Sequence, residues 1–178
     1  LAAWQAYLNY RELMSRHKLT PPDALAGTSS SPLTGGQVHS SQPSSTRATV
    51  ALIGHPYLLY DEYINHRLIH RLEQAGSKVL TPEMLTTEEL ESAITRLVGK
   101  AYWTYEEEVV GAGGHYLGNN ADGVIGIMTF GCGHDSLIMD TVRREASRLR
   151  TTAFMSLTLE EHTAETGVVT RLEAFLEM

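Results

Sequence analysis

The sequence predicts an α/β fold, a doubly wound four-stranded parallel sheet held between two helical layers as an αβα three-layer sandwich. Three observations lead to it. Short apolar runs alternate with helix-period segments from residue 47 to residue 178. The runs are apolar at consecutive positions, as strands covered on both faces must be. Each run ends in a glycine or a polar turn before the next helix begins.

Taken in order, Leu1 to Leu19 reads as a helix, with Trp4, Leu8, Leu13 and Met14 near one face and Arg11, Glu12, Arg16 and Lys18 outside. Thr20-Pro21-Pro22 stops it. Ala24 to Thr46 has no charged residue and is dominated by Ser, Thr, Gly and Pro, so residues 21–46 read as a flexible linker between a helix over 1–20 and a domain over 47–178. Ala48 to Ile53 is a buried strand ending at Gly54. Asp61 to Ala75 reads as one helix, with Ile64, Leu68, Leu72 and Ala75 on its apolar face and Gly76 at the position after the C-cap. Lys78 to Leu80 is a second, shorter strand. Thr87 opens a helix with Glu88 and Glu89 in the first turn, where acidic charge suits the helix dipole. Thr104 to about Leu117 is another helix, and its Gly111-Ala112-Gly113-Gly114 run marks close packing or a break. Gly123 to Phe130 is the clearest strand. A helix over Ser136–Leu149, a strand over Thr152–Leu159 and a helix over Ala164–Met178 complete the chain. Right-handed crossovers order the strands 2-1-3-4 in a Rossmann-like or flavodoxin-like sheet, with a topological switch point between the first and third strands.

Composition narrows the function. The net charge of −7 over 178 residues, with no Lys/Arg cluster, argues against nucleic acid or a membrane surface as partner. No apolar run is long enough to span a bilayer. No signal peptide is expected, and a start at Leu1 suggests an excised or processed piece of a cytoplasmic protein. The single cysteine, Cys132, can form no internal disulfide and cannot alone hold a zinc or iron–sulfur site.

Ligands of such sheets bind beyond the carboxyl ends of the strands. The exits here are Gly54-His55-Pro56-Tyr57, Thr81-Pro82-Glu83, Gly131-Cys132-Gly133-His134-Asp135-Ser136 and Glu160-Glu161-His162-Thr163. Topology therefore gathers Cys132, His55, His134, His162 and several carboxylates on one rim. Taken singly, Asp135, Ser136 and Thr163 read as helix caps and His55 and His162 as loop residues. Cys132 is the sharpest candidate: it lies between two glycines, just before a helix N-terminus, with His134 two residues on, a setting that favours thiolate. The competing reading is a buried, inert thiol. A metal site from Cys132, His134, Asp135 and His55 is conceivable, although no zinc spacing such as C-x-x-C occurs. Gly131-x-Gly133-x-x-Ser136 is a weak match to a dinucleotide fingerprint, and no P-loop or nucleophile elbow is present.

Ile53-Gly54-His55-Pro56-Tyr57 with Tyr60-Asp61-Glu62-Tyr63-Ile64-Asn65, then Phe130-Gly131-Cys132-Gly133-His134-Asp135-Ser136, Glu161-His162-Thr163 and Thr170-Arg171-Leu172-Glu173-Ala174-Phe175 occur in that order. Over roughly residues 47–178 this pattern resembles the uncharacterised domain of CoA-substrate-specific enzyme activase-related proteins, relatives of the 2-hydroxyacyl-CoA dehydratases and benzoyl-CoA reductases. The resemblance implies an anaerobic system in which an ATP-dependent activator passes a low-potential electron to an iron–sulfur partner acting on acyl-CoA. It implies that Cys132 is one ligand of a [4Fe–4S] cluster whose other cysteines belong to other domains or subunits. His55, Tyr57, Gly131, Gly133, His134 and His162 would line the same edge, tuning the cluster or holding substrate. His134 stands where the family pattern carries a proline, and the isolated fragment, lacking the other cysteines, is expected to be free of cluster and not catalytic alone. Two other readings stand beside it: a module of the same fold binding CoA or another anion at helix N-termini, and a thiol enzyme with Cys132 as nucleophile and His134 as base.

Overall fold

Strands β1 (Ala48–Ile53), β2 (Ser77–Leu80), β3 (Gly123–Thr129) and β4 (Ala153–Leu159) run parallel in the order β2-β1-β3-β4. This is the predicted order and class, seen in a computed structural model that describes residues 2–28, 47–118 and 121–178. In register, Val50 lies opposite Val79 on one side and Gly123 on the other, and Gly126 lies opposite Ser156.

The period of two along a strand divides the core between the faces. Ala51 and Ile53 pack with helices α5 (Thr87–Leu97), α6 (Thr104–Gly118) and α7 (Gly133–Leu149), against Leu90, Val109, Ala112, Ile138 and Val142. Val50 and Leu52 pack on the other face with α3 (Pro56–Tyr60), α4 (Leu68–Gln74) and α8 (Glu165–Leu176), against Leu58, Leu68, Leu72, Val168 and Phe175. At the end of β1 the backbone comes so near β3 that a Cβ on Gly54 would lie 2.7 Å from the Ile127 carbonyl oxygen, which only glycine permits. The Gly-rich run of α6 is close packing within an unbroken helix, not a break.

Of the helix expected over Asp61–Ala75 only the second half forms, as α4; turns occupy its first half, and a short helix not expected, α3, precedes it. Local side-chain hydrogen bonds compete with helix here. The Asp61 carboxylate accepts from the backbone N–H of Tyr63 at 3.0 Å and of Ile64 at 3.1 Å. Buried Asn65 donates to the carbonyls of Leu58 and Leu59 and accepts from the Leu68 N–H, so one side chain ends the first helix and starts the second. His66 and Arg67 adopt left-handed φ of 54° and 59°, which no continuous helix tolerates.

Most of the expected linker, residues 29–46, lies outside the described residues. Its first part is helix α2 (Pro21–Thr28). Thr20 starts that helix, its hydroxyl accepting from the Asp23 N–H at 3.4 Å, and the two prolines occupy first-turn positions that need no amide hydrogen. The preceding helix, α1 (Ala2–His17), buries Met14 at 2% exposure, whereas Trp4 and Leu8, expected on the same face, stay 63% and 41% exposed. Helix α7 begins at Gly133, three residues before its expected start, which puts His134 and Asp135 in its first turn and Cys132 at its N-cap.

One buried charge clamps the helical layer. Glu145 on α7 accepts from Arg148 at 2.7 and 2.8 Å and from Arg96 on α5, which also donates to the Gly114 carbonyl of α6 at 2.8 Å. Hydrogen bonds from Arg148, then Arg96, hold the Glu145 carboxyl below the usual range. That stability is present above the unfolded carboxyl pKa and lost as pH falls through the folded one. Glu145→Gln is expected to cost about 1 to 2 kcal/mol near neutral pH and nothing in acid, where Glu145 itself is protonated. Urea titrations at the two pH values check this, and a loss equal at both would count against the ion pairs.

Candidate functional site

The rim holds two groups of side chains, one at the switch point and one beyond β2. At the switch point His55, leaving β1, reaches across to Asp135 in the first turn of α7, with Nε2 2.8 Å from Oδ1. Asp135 is 3% exposed, and its second oxygen accepts from the Thr129 N–H at 3.3 Å. The expected capping role of Asp135 is therefore replaced by a bond between strand exits. Tyr57 stacks on His55 and shares a 2.9 Å hydrogen bond with the Thr129 hydroxyl.

Helix α6 leads into β3, so its start must lie at the same rim. Tyr105 meets the His55 ring edge-on at 4.8 Å between centroids, and Trp103 meets His134 edge-on at 4.5 Å. The His134 Nε2 is buried and has no hydrogen-bond partner. Ligand atoms of His55, His134 and Asp135 lie within 4.8 Å of one another, a group that does not include Cys132.

Cys132 is partly exposed, its N–H donating to the Thr129 carbonyl at 3.3 Å. Both flanking glycines face open space, since a Cβ built on Gly131 or Gly133 would meet nothing within 4 Å. Phe130, two residues before Cys132, is 69% exposed, Leu137, five residues after it, 67%, and Trp103, which meets His134, 57%. His162 is not drawn into the group; its side chain is in solvent, 3.8 Å from the Glu161 carboxylate.

A cleft of about 810 Å³ opens beside Tyr57 and Thr129, between the exits of β1 and β4. Glu62, Glu160, Glu161 and Glu165 line it together with Arg67 and Arg71. Arg71 pairs with Glu165, and Arg67 lies 3.7 Å from Glu62. That balance of charge does not suit a phosphate-rich ligand.

Beyond β2, Glu83 is 5% exposed and accepts from the Tyr60 hydroxyl, whose ionisation is pushed far above its ordinary range by burial and then by the Glu83 charge. Burial also raises Glu108 on α6, although Arg11 from α1 donates to it at 2.8 Å. Lys18 adds a 2.7 Å bond to the Met84 carbonyl, fixing the N-terminal segment to the turn after β2. Residues 1–85 match the family described as the CoA enzyme activase uncharacterised domain. Over that stretch, somewhat less than half of its length, the chain is similar to an activase-related domain.

The matched segment starts with α1 and ends after β2, whereas the motifs placed the likeness over residues 47–178. His55, Tyr57 and the Tyr60–Glu83 pair lie inside it; Cys132, His134 and Asp135 lie beyond it. No curated protein and no solved structure gives a significant match. The docking of α1 accounts for a family unit that includes the N-terminal helix. Since Glu108 is raised, its ionised form destabilises the fold as pH rises through that pKa, and Arg11 offsets the cost. Arg11→Ala is therefore expected to lower Tm more near neutral pH than in mild acid. A loss independent of pH would separate Arg11 from Glu108.

Sequence reasoning found His55, Tyr57, Cys132 and His134 on this rim and missed Thr129, Trp103 and Tyr105 as their contacts. The direction of α6 relative to β3 was the available clue to the two aromatics.

Proposed function

We propose that this domain supplies Cys132 as one thiolate ligand of a [4Fe–4S] cluster shared with another domain of an activase-related, dehydratase-like protein. The supporting observation is the setting of Cys132: partly exposed at the switch-point rim, flanked by two open glycines, with Phe130 and Leu137 exposed close to it in the chain and Trp103 exposed against His134. Apolar residues grouped in this way suit burial by a second domain. One thiolate cannot hold a cluster, and the neighbouring His55, His134 and Asp135 offer nitrogen and oxygen rather than sulfur. The residues therefore fit a single corner of a shared cluster and not a self-contained one.

The bound group would supply low-potential electron transfer toward acyl-CoA. The chain's own part is mechanical and electrostatic. The Cys132 N–H bond to Thr129 and the start of α7 fix the thiol at the mouth of the β3 turn. The open glycines leave room for a bulky group to approach, and the aromatic rim excludes water once covered. An ATP-dependent activator and the cysteine-bearing domain are the partners in this scheme, in an anaerobic cytoplasm.

Anaerobic reconstitution of the complete protein, with the domain bearing the other cysteines, tests the proposal. Cys132→Ser is expected to lose cluster absorbance and bound iron together. Unchanged iron content and absorbance would reject it.

A further inference from the structure

We propose that His55, His134 and Asp135 bind a single divalent first-row transition metal ion of the zinc class, at a site independent of Cys132. Three protein ligands drawn from imidazole and carboxylate suit such an ion and leave a coordination position open, as reactive zinc sites do. The residues come from two strand exits that the fold alone brings together, 79 and 80 positions apart in sequence (134 − 55 and 135 − 55). Their ligand atoms already lie within 4.8 Å of one another. A tetrahedral ion with bonds of about 2 Å needs ligands about 3.3 Å apart, so closure asks for side-chain adjustment rather than backbone movement.

A hydrogen-bonded pair accounts for His55 and Asp135 but not for His134. Its Nε2 is buried and without a hydrogen-bond partner. A buried polar atom of this kind calls for a partner, and a cation shared with the neighbouring carboxylate provides one. The Thr129 N–H bond to the second Asp135 oxygen orients that carboxylate, and the edge contacts of Tyr105 and Trp103 hold the two imidazole rings. Imidazole ligands disfavour magnesium and calcium, which take oxygen.

The chain, stripped with chelator and titrated with Zn²⁺ against a competing dye, is expected to bind one equivalent and to melt at higher temperature when loaded. Mg²⁺ is expected to do neither, and equal binding of Mg²⁺ would overturn the assignment. Co²⁺ should give a visible spectrum, and X-ray absorption of the zinc form should report nitrogen and oxygen only; sulfur in the coordination shell would reject the ligand set. His134→Gln and Asp135→Asn should each weaken binding by roughly 100-fold or more, beyond what losing an outer partner costs. Should Asp135→Asn fail to fold, His134→Gln carries the test alone, since the lost nitrogen makes no internal bond. Zinc bound by His134→Gln as tightly as by the parent would point to adventitious histidines and overturn the proposal. Cys132→Ser should leave zinc stoichiometry unchanged, which separates this site from the shared cluster.

Discussion

Gly113→Leu is expected to destabilise the domain by about 3 kcal/mol or more, although leucine is a far better helix former than glycine. Helix propensity favours a side chain here by roughly 1 kcal/mol. Packing opposes it, because a Cβ at Gly113 would already lie 2.8 Å from both Cγ atoms of Val142 and 3.1 Å from Ile53 Cδ1. Val142 and Ile53 are both fully buried, and a β-branched valine on α7 has no spare rotamer into which to retreat. Overpacking of a dense core typically costs 1 to 3 kcal/mol (about that range) for less intrusion than a whole leucine brings. Gly167 on α8 is the control: it is exposed, and a Cβ there meets nothing within 4 Å. Gly167→Ala is expected to stabilise by about 0.5 to 1 kcal/mol. Urea midpoints for both variants decide the matter, and a Gly113 variant as stable as the parent would contradict the close seating of α6 on α7.

Leu52→Ala is expected to cost about 3 to 4 kcal/mol. Leu52 sits on the central strand β1 with no exposed surface, in the core formed with α3, α4 and α8. Its surroundings include two strands on a sheet buried on both faces, which cannot collapse to fill the gap. Leu137→Ala, at a residue 67% exposed, should change stability by less than about 0.5 kcal/mol. Equilibrium denaturation reads both values, and an m-value unchanged in Leu52→Ala would show that the loss is stability and not a change in the unfolded chain. A small loss at Leu52 would mean that this face of the sheet is loosely filled.

The sheet was legible because its central strands, β1 and β3, are buried on both sides and apolar at nearly every position, and because handed crossovers leave few orders for four strands. The region after β1 was not legible. Ile64, Leu68 and Leu72 have helical spacing, but Asp61 and Asn65 spend their side chains on nearby backbone groups, and the helix starts only at Leu68. Short polar residues compete with helix in a manner that a periodicity count does not register. At the site, topology alone brought His55, Cys132 and His134 to one rim. It could not show that Asp135 would bond His55 rather than cap its own helix, since both uses need the same residue at the same place. His162, on a comparable strand exit, points to solvent beside Glu161. The Arg11–Glu108 pair, 97 residues apart, had no local trace at all.

The glycine at the end of β1 has a consequence for the metal site. A methyl group on Gly54 would strike the Ile127 carbonyl and force the ends of β1 and β3 apart. His55 is the next residue, so its reach to Asp135 is calibrated by a missing carbon one position upstream. Gly54→Ala would act as a wedge, widening the jaws on which the two ligands stand without altering either ligand. The chemistry of the rim thus depends on a spacer that is itself chemically silent.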